Sequence, residues 1–409
     1  MSNNGSVLKP GFVITLGLLT GLAALTVDIS LPAVPVMAMA LAASLSSSQQ
    51  IVGVFIAGMA VGQIPAGLAS DRAGRLPVLY AGMLLFLGGA VAASLASRVD
   101  VLLAARFVQG IGAAAAIALP RAIVRDIARG KDAARLMSLM TMIFTAVPVI
   151  APSIGALLIT QWGWRAPFIA IAALGLLLVF AIRSNIHETH APTETRHPLR
   201  QLASSFAEFF AHRQSIFGLL LIVLPPAGFM SMIALAASLV VTIYGFSIAQ
   251  FGFIFAAAGV SILLGATLNR ILVSHFDALR LIGIGIALMG ISAAQLLLIA
   301  ALDQAPFAWL WSCVCLFMLT IALTMPNATV IALDPLPKIA GVASSIIGTL
   351  QNICGAAGAI IGATIYDGSV RNSVIMMAVA GSLTVLVYLL RALFVPHGIV
   401  RHPDELARD

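Results

Sequence analysis

The sequence predicts an all-α membrane protein whose twelve transmembrane helices form two pseudo-symmetric six-helix halves. Three observations lead there. The 409 residues are 61% hydrophobic and only 9% charged, against roughly 25% charged in an average soluble domain. No soluble core could hide that surface, so lipid bilayer must be the solvent. Twelve stretches each approach the roughly 20 apolar residues that cross a ~30 Å hydrocarbon layer. Lys and Arg then sort by loop. With the N-terminus inside, eighteen of the 22 face the cytoplasm, Arg98, Arg165 and Arg371 face outside, and Arg106 lies within a span. Such a separation requires an even number of spans with both termini in the cytoplasm.

The first stretch runs near 11–36. One lysine precedes it and no small-residue cleavage site comes before Asp28, so it reads as an uncleaved span rather than a signal peptide. The second, 49–69, ends in the knot Gly67-Leu68-Ala69-Ser70-Asp71-Arg72-Ala73-Gly74-Arg75-Leu76-Pro77. Gly67 and Gly74 permit a tight, closely packed turn there, and Pro77 can start the third span, 77–97. The fourth, 99–121, carries Arg106; the fifth and sixth lie near 138–160 and 165–183. The longest polar stretch follows, Arg183 to Arg213, and reads as a linker. Six more spans lie near 216–238, 247–269, 279–301, 306–331, 339–366 and 372–394. The expected organisation is a first half over 1–183, a cytoplasmic linker over 184–215, and a second half over 216–409 with a short cytoplasmic tail. An internal echo links the halves. Gly67 to Arg72, closing span 2, returns as Gly265-Ala266-Thr267-Leu268-Asn269-Arg270 closing span 8, with Asn269 replacing the acid.

Composition also excludes functions. The net charge of +7 comes from bases scattered over alternate loops, with no aromatic–basic interleaving, so no nucleic-acid partner is expected. Cys313, Cys315 and Cys354 sit inside apolar runs, and Cys313-Val314-Cys315 lacks zinc-knuckle spacing and a nearby His. Neither metal nor cofactor is expected. A membrane-embedded enzyme has little support, because the spans hold no H-E-x-x-H, no second acid to pair with Asp28 and no Ser/His dyad.

The charges inside the spans carry the chemistry. A carboxylate at mid-membrane costs ~2.5–3.5 kcal/mol on insertion scales, which suggests a use for Asp28. Helical rise places it roughly 13 Å below the outer surface, and Arg106 roughly 10 Å below the same surface. The two could therefore pair. The alternatives are an Asp28 bonded to helix backbone beside the Pro32 and Pro35 kinks, and an Arg106 that snorkels outward. Arg106, Gln109, Gly110 and Ala113 share one face of span 4. All seven histidines fall in cytoplasmic segments, so a proton carrier would be a carboxylate, Asp28 first. Asp71 suits the positive helix ends near Lys338–Ser345 at the start of span 11, and Asp126 is the nearest plausible anion for Arg75. Small residues at Gly58 and Gly62, and at Gly341, Ser345, Gly348, Asn352, Gly355, Ala359 and Gly362 in span 11, allow close helix approach.

The knot resembles the loop signature G-x-L-A-D-R-x-G-R of the major facilitator superfamily, with Ala69 at a usual Leu position and Leu76 at a usually basic one. Thr26-Val27-Asp28-Ile29-Ser30-Leu31-Pro32-Ala33-Val34-Pro35 is similar to T-D-x-Y-L-P-A-L-P of the Bcr/CflA branch of twelve-span drug:proton antiporters, with an extra Val and Ser30 in place of Tyr. Arg106-Phe107-Val108-Gln109-Gly110-Ile111-Gly112-Ala113 resembles that branch's R-x-x-Q-G-x-G-A. Ala122 to Asp126, Trp164 to Phe168 and Ala340 to Ser345 resemble further signatures of the branch. The antiporter motif G-x-x-x-G-P-x-x-G-G is partly kept in Val147 to Ala156, with Pro152 and Gly155 retained and two glycines replaced by Ala. The resemblance implies the major facilitator fold and alternating access, with spans 1, 4, 7 and 10 around a central cavity. The polar groups expected there are Thr26, Asp28, Gln109, Ser231, Thr320, Thr324 and Asn327. Proton coupling falls to Asp28 and Arg106, and the cytoplasmic gate to Gly67, Asp71, Arg72, Gly74, Arg75 and Asp126. The expected protein exports lipophilic or weakly polar small molecules in exchange for protons, as a monomer in a bacterial inner membrane. The alternative is a proton-coupled metabolite carrier.

Overall fold

The computed structural model describes residues 9–190 and 198–394. Arg196, His197, His397, Arg401, His402 and Arg408 lie outside the described residues. Among the described residues, twelve helices are long and apolar enough to cross a membrane, and we number them as spans in chain order. Span 1 is Pro10–Ala40, span 2 Leu45–Ala73, span 3 Arg75–Leu95, span 4 Val99–Ile127, span 5 Gly130–Trp162 and span 6 Ala166–Asn185. Span 7 is Arg213–Ile243, span 8 Ile248–Leu272, span 9 Ala278–Leu302, span 10 Phe307–Leu333, span 11 Ala340–Ile365 and span 12 Val370–Leu389. Many large apolar side chains stay uncovered by protein, among them Leu95 at 74% and Phe253 at 75% exposure. A water-soluble protein would leave no such girdle, whereas acyl chains accept it.

Local chemistry explains the breaks. Span 1 is helical over Pro10–Asp28, tightens over Leu31–Ala33 and resumes over Val34–Ala40. Pro32 and Pro35 have no N–H to give, and their rings displace the preceding carbonyls. Span 7 ends in a wider π turn, Ser238–Ile243, a feature often found at functional sites. The polar linker holds a helix that its composition did not announce, Pro198–Ala211. Its Phe209 is fully buried and joins a core with Phe217, Ile222, Ile282, Ile331 and Ile346.

The chain forms two compact units. One comprises Met1–Arg196, Ile233–Gly259 and Ala363–Ile365; the other comprises His197–Met232, Val260–Gly362 and Tyr366–Asp409. In the first unit span 4 is the central helix. Gly58 and Gly62 of span 2 leave no room for a Cβ against Phe107 and Ile111, and Gly110 answers against the Phe55 carbonyl. The end of span 7 joins this unit through Gln49 Nε2, which donates to Ser238 Oγ at 2.8 Å. Ser46 Oγ donates to the Ala363 carbonyl at 2.6 Å. In the second unit spans 7 and 11 meet most closely where Gly358 faces the Ala227 backbone, with Gly355 against Met230 and Gly362 against Ser231. Gly358 was not part of the small-residue series read from sequence, yet it is the one of the three whose nearest contact is backbone.

Candidate functional site

Asp28 closes the first helical segment of span 1, at the break that the prolines impose. It is the only buried acid among the described residues, 4% exposed, and it has no hydrogen-bond or ion-pair partner among them. The expected alternative, an Asp28 satisfied by kinked backbone, does not hold. Ser30 takes that part, donating to the Thr26 carbonyl at 3.1 Å and the Val27 carbonyl at 2.8 Å. Gly155 of span 5 packs against the Ile29 carbonyl, so the one retained motif glycine lets span 5 lie directly against the residue after Asp28.

Arg106 is wholly buried, which excludes the snorkelling alternative. The Asp28–Arg106 ion pair is also absent from this conformation. Arg106 Nη1 donates to Gln109 Oε1 at 2.9 Å, and Nε reaches the Ile51 carbonyl at 3.4 Å. The guanidinium lies 4.5 Å from the Phe55 ring centroid and 5.8 Å from that of Phe168. Cation–π attraction of a desolvated cation contributes about 2 kcal/mol, so aromatic faces on spans 2 and 6 replace the carboxylate that sequence reasoning supplied. Arg106 Nη2 and Gln109 Nε2 remain buried donors without an acceptor. Leaving them so costs energy, and that cost is released by any state that brings an acceptor to them.

The other polar candidates divide by how their hydrogen bonds are spent. Thr26 Oγ1 donates to the Leu22 carbonyl and Thr320 Oγ1 to the Phe317 carbonyl, each at 2.7 Å. Asn327 donates to Asn269 Oδ1 at 2.7 Å and to the Leu323 carbonyl at 2.8 Å, so it joins spans 8 and 10 within the second unit. Ser231 and Thr324 are buried with unpartnered hydroxyls. Gln109, Ser231 and Thr324 of this set each keep a fully buried polar atom without a partner.

The charged knot is compact. Span 2 continues through Asp71 to Ala73, and the turn is made at Gly74 alone, with φ +97°. This corrects the expectation for Gly67, which lies inside the helix with nothing within 4 Å of a notional Cβ. Arg75 is 7% exposed. Its Nε donates to Asp126 Oδ2 at 2.8 Å, Nη1 donates to Ser70 Oγ at 2.9 Å, and Nη1 also pairs with Asp71. Structure thus brings Asp71, Arg75 and Asp126 together, while Arg72 stays exposed. Sequence reasoning missed Glu188. Its carboxylate accepts the Arg75 N–H at 2.8 Å and the Leu76 N–H at 2.9 Å. Partial burial pushes this carboxyl up, but N–H groups of Leu76, Arg75, His190 and Thr189 outweigh it and hold it below the usual carboxylate range.

Twelve spans, a buried unpaired acid and a bridged charge knot between spans 2 and 3 define a multi-pass membrane transporter. The sequence profile of the Major Facilitator Superfamily matches residues 16–359, and the chain belongs to that family. A bicyclomycin resistance protein homolog of Haemophilus influenzae is 29% identical over 92% of this chain and 94% of its own. Multidrug resistance protein MdtL of Escherichia coli is 30% identical over 91% and 92%. Among solved structures, a D-xylose–proton symporter superposes with a TM-score of 0.76 at 19% identity, covering 94% of this chain and 98% of that one. At that identity the likeness speaks for the fold.

Proposed function

We propose that the protein exports lipophilic or weakly polar small molecules, drugs among them, in exchange for protons. It would do so from a bacterial inner membrane with both termini in the cytoplasm. The observation that carries this reading is Asp28, the lone buried acid among the described residues, unpartnered at a helix break. A carboxyl without a partner binds a proton when shut from water and loses it when wetted, and alternating access supplies that cycle. The Arg106–Gln109 pair supplies the donors that respond to the change of charge. Support for the cargo comes from relatives named for bicyclomycin and multidrug resistance over more than nine-tenths of this chain. In the first unit the Gln109 amide, neutral and with an unpartnered buried N–H group, suits a weakly polar solute better than a sugar or polyanion. The Asp71–Arg75–Asp126 knot acts as a latch on the cytoplasmic side. Its Asp71 arm is open to water, so that pair is individually modest, which suits a switch.

The deciding experiment is uptake of bicyclomycin into proteoliposomes under an imposed pH gradient, for wild type and Asp28→Asn. Wild type should concentrate the solute and the Asn variant should only equilibrate it. Uphill movement by Asp28→Asn would remove Asp28 from the coupling role.

A further inference from the structure

We propose that Glu188 and Thr189, just beyond span 6, are positioning residues of the transport cycle. They hold the Asp71–Arg75–Asp126 knot in its bridged geometry and tie it to the chain segment that leads to the second half. This rests on the transport reading above.

The turn at Gly74 creates the need. A helix start leaves its first N–H groups without internal partners, and span 3 begins at Arg75, one residue after a φ of +97°. No capping side chain comes from Gly74 itself. Glu188, 113 residues further on, fills the gap with one oxygen on each of the first two N–H groups, at 2.8 and 2.9 Å. The carboxylate is fixed in turn by its own backbone, since the Thr189 and His190 N–H groups reach Oε1 at 3.0 and 3.1 Å. A Cβ on residue 74 would come within 2.8 Å of Glu188 Oε2. Glycine is therefore required there twice, for its backbone angle and for the carboxylate beside it.

Thr189 extends the clasp to span 4. Its Oγ1 donates to Asp126 Oδ2 at 3.2 Å, the oxygen that also accepts Arg75 Nε at 2.8 Å. Arg75 is thus held at both ends, its backbone by Glu188 and its guanidinium by Asp71 and Asp126. Just before the clasp, Asn185 Nδ2 donates to Thr15 Oγ1 of span 1 at 3.3 Å, and Ile186 is buried. Within the five residues 185–189, Asn185, Glu188 and Thr189 therefore touch spans 1, 3 and 4 in turn. A pull on the linker is transmitted directly to the knot.

The test separates positioning from plain stabilisation. In a background with Cys313, Cys315 and Cys354 changed to Ala, a reporter Ala73→Cys is labelled with a water-soluble maleimide, without substrate. Glu188→Ala should raise the labelling rate about threefold or more. Glu188→Gln, the same shape without the charge, should give a smaller rise and serves if the Ala variant folds poorly. Transport of bicyclomycin in proteoliposomes should fall about tenfold in turnover in Glu188→Ala, with apparent affinity within about twofold. Thr189→Val should slow turnover in wild type but add nothing in an Asp126→Asn background, because it acts through that carboxylate. Unchanged labelling in a folded Glu188→Ala, or full additivity of Thr189→Val with Asp126→Asn, overturns the proposal. If wild type fails to move bicyclomycin, the cargo reading falls, while the labelling result still decides the clasp.

Discussion

The turn between spans 2 and 3 and the turn between spans 8 and 9 hold corresponding places in the two halves, yet they are built by opposite means. The first is ionic and tied to distant sequence: Arg75 bridges Asp71 and Asp126, and the start of span 3 is capped by Glu188. In the second the ion pair is local, Arg280 Nε with Asp277 Oδ2 at 3.4 Å, and the longer link is neutral. Asn269, at the place of Asp71, accepts from Asn327, and span 9 is capped by its own Asp277, which accepts the Arg280 N–H at 2.8 Å. At the opposite ends of the same helices the halves agree. Arg165 donates to the Ala96 carbonyl and Arg371 to the Ala300 carbonyl, both at 2.9 Å. One end of each half is thus a shared fastening. The other has diverged: only in the first half does it join charges of three spans and a carboxylate from beyond span 6.

The sharpest way to break this comparison is to remove each turn's central link. Arg75→Ala leaves two acids facing each other without their cation, and turnover in proteoliposomes should fall tenfold or more. Asn327→Ala removes a neutral bond of about 1 kcal/mol and should slow transport by about threefold at most. Equal losses would show that both turns gate alike. The next effect concerns glycine. Gly74→Ala must hold a backbone conformation that costs a non-glycine residue about 1–3 kcal/mol, and should lower the melting temperature in detergent. Gly67→Ala, in open space within a helix, should be neutral or gain up to about 1 kcal/mol.

The shared fastenings predict smaller, matched effects. Arg165→Ala and Arg371→Ala should each cost on the order of 1 kcal/mol by thermal unfolding, and a large disparity would undo the likeness between the halves. The smallest effect is one of pH. Because the Glu188 carboxyl is held below its ordinary range, its contribution is fully present above the unfolded value, near 4.3, and is lost as pH falls through the lower folded value. The stability difference between wild type and Glu188→Gln should therefore stay flat from about pH 8 to 5 and shrink only in stronger acid. A change near neutrality would mean that Glu188 titrates with the transported proton.

Much of this was legible in the chain. Apolar length marked every span, because a bilayer imposes one thickness on each of them. Pro32 and Pro35 marked the break beside Asp28, since proline acts on its own turn of helix. Gly58 and Gly62 foretold close packing of span 2. The Arg75–Asp126 pair was within reach because a buried guanidinium near a helix end must find an anion and few were nearby. These are local constraints, read from neighbours in sequence.

Other features were set by folding. Glu188 capping span 3 from 113 residues away and Asn269 meeting Asn327 have no spacing that announces them. A hydrogen bond or a close backbone approach is satisfied by any suitable group that packing delivers. Arg106 shows the same from the other side. Its charge and depth suggested Asp28, but packing gave it Gln109 and the faces of Phe55 and Phe168, and left the acid unpaired. Hydrophobicity and helix chemistry act along the chain, so the sequence carries the spans and their breaks. Partner choice among buried polar groups depends on three-dimensional proximity, so it becomes visible only once the helices have packed.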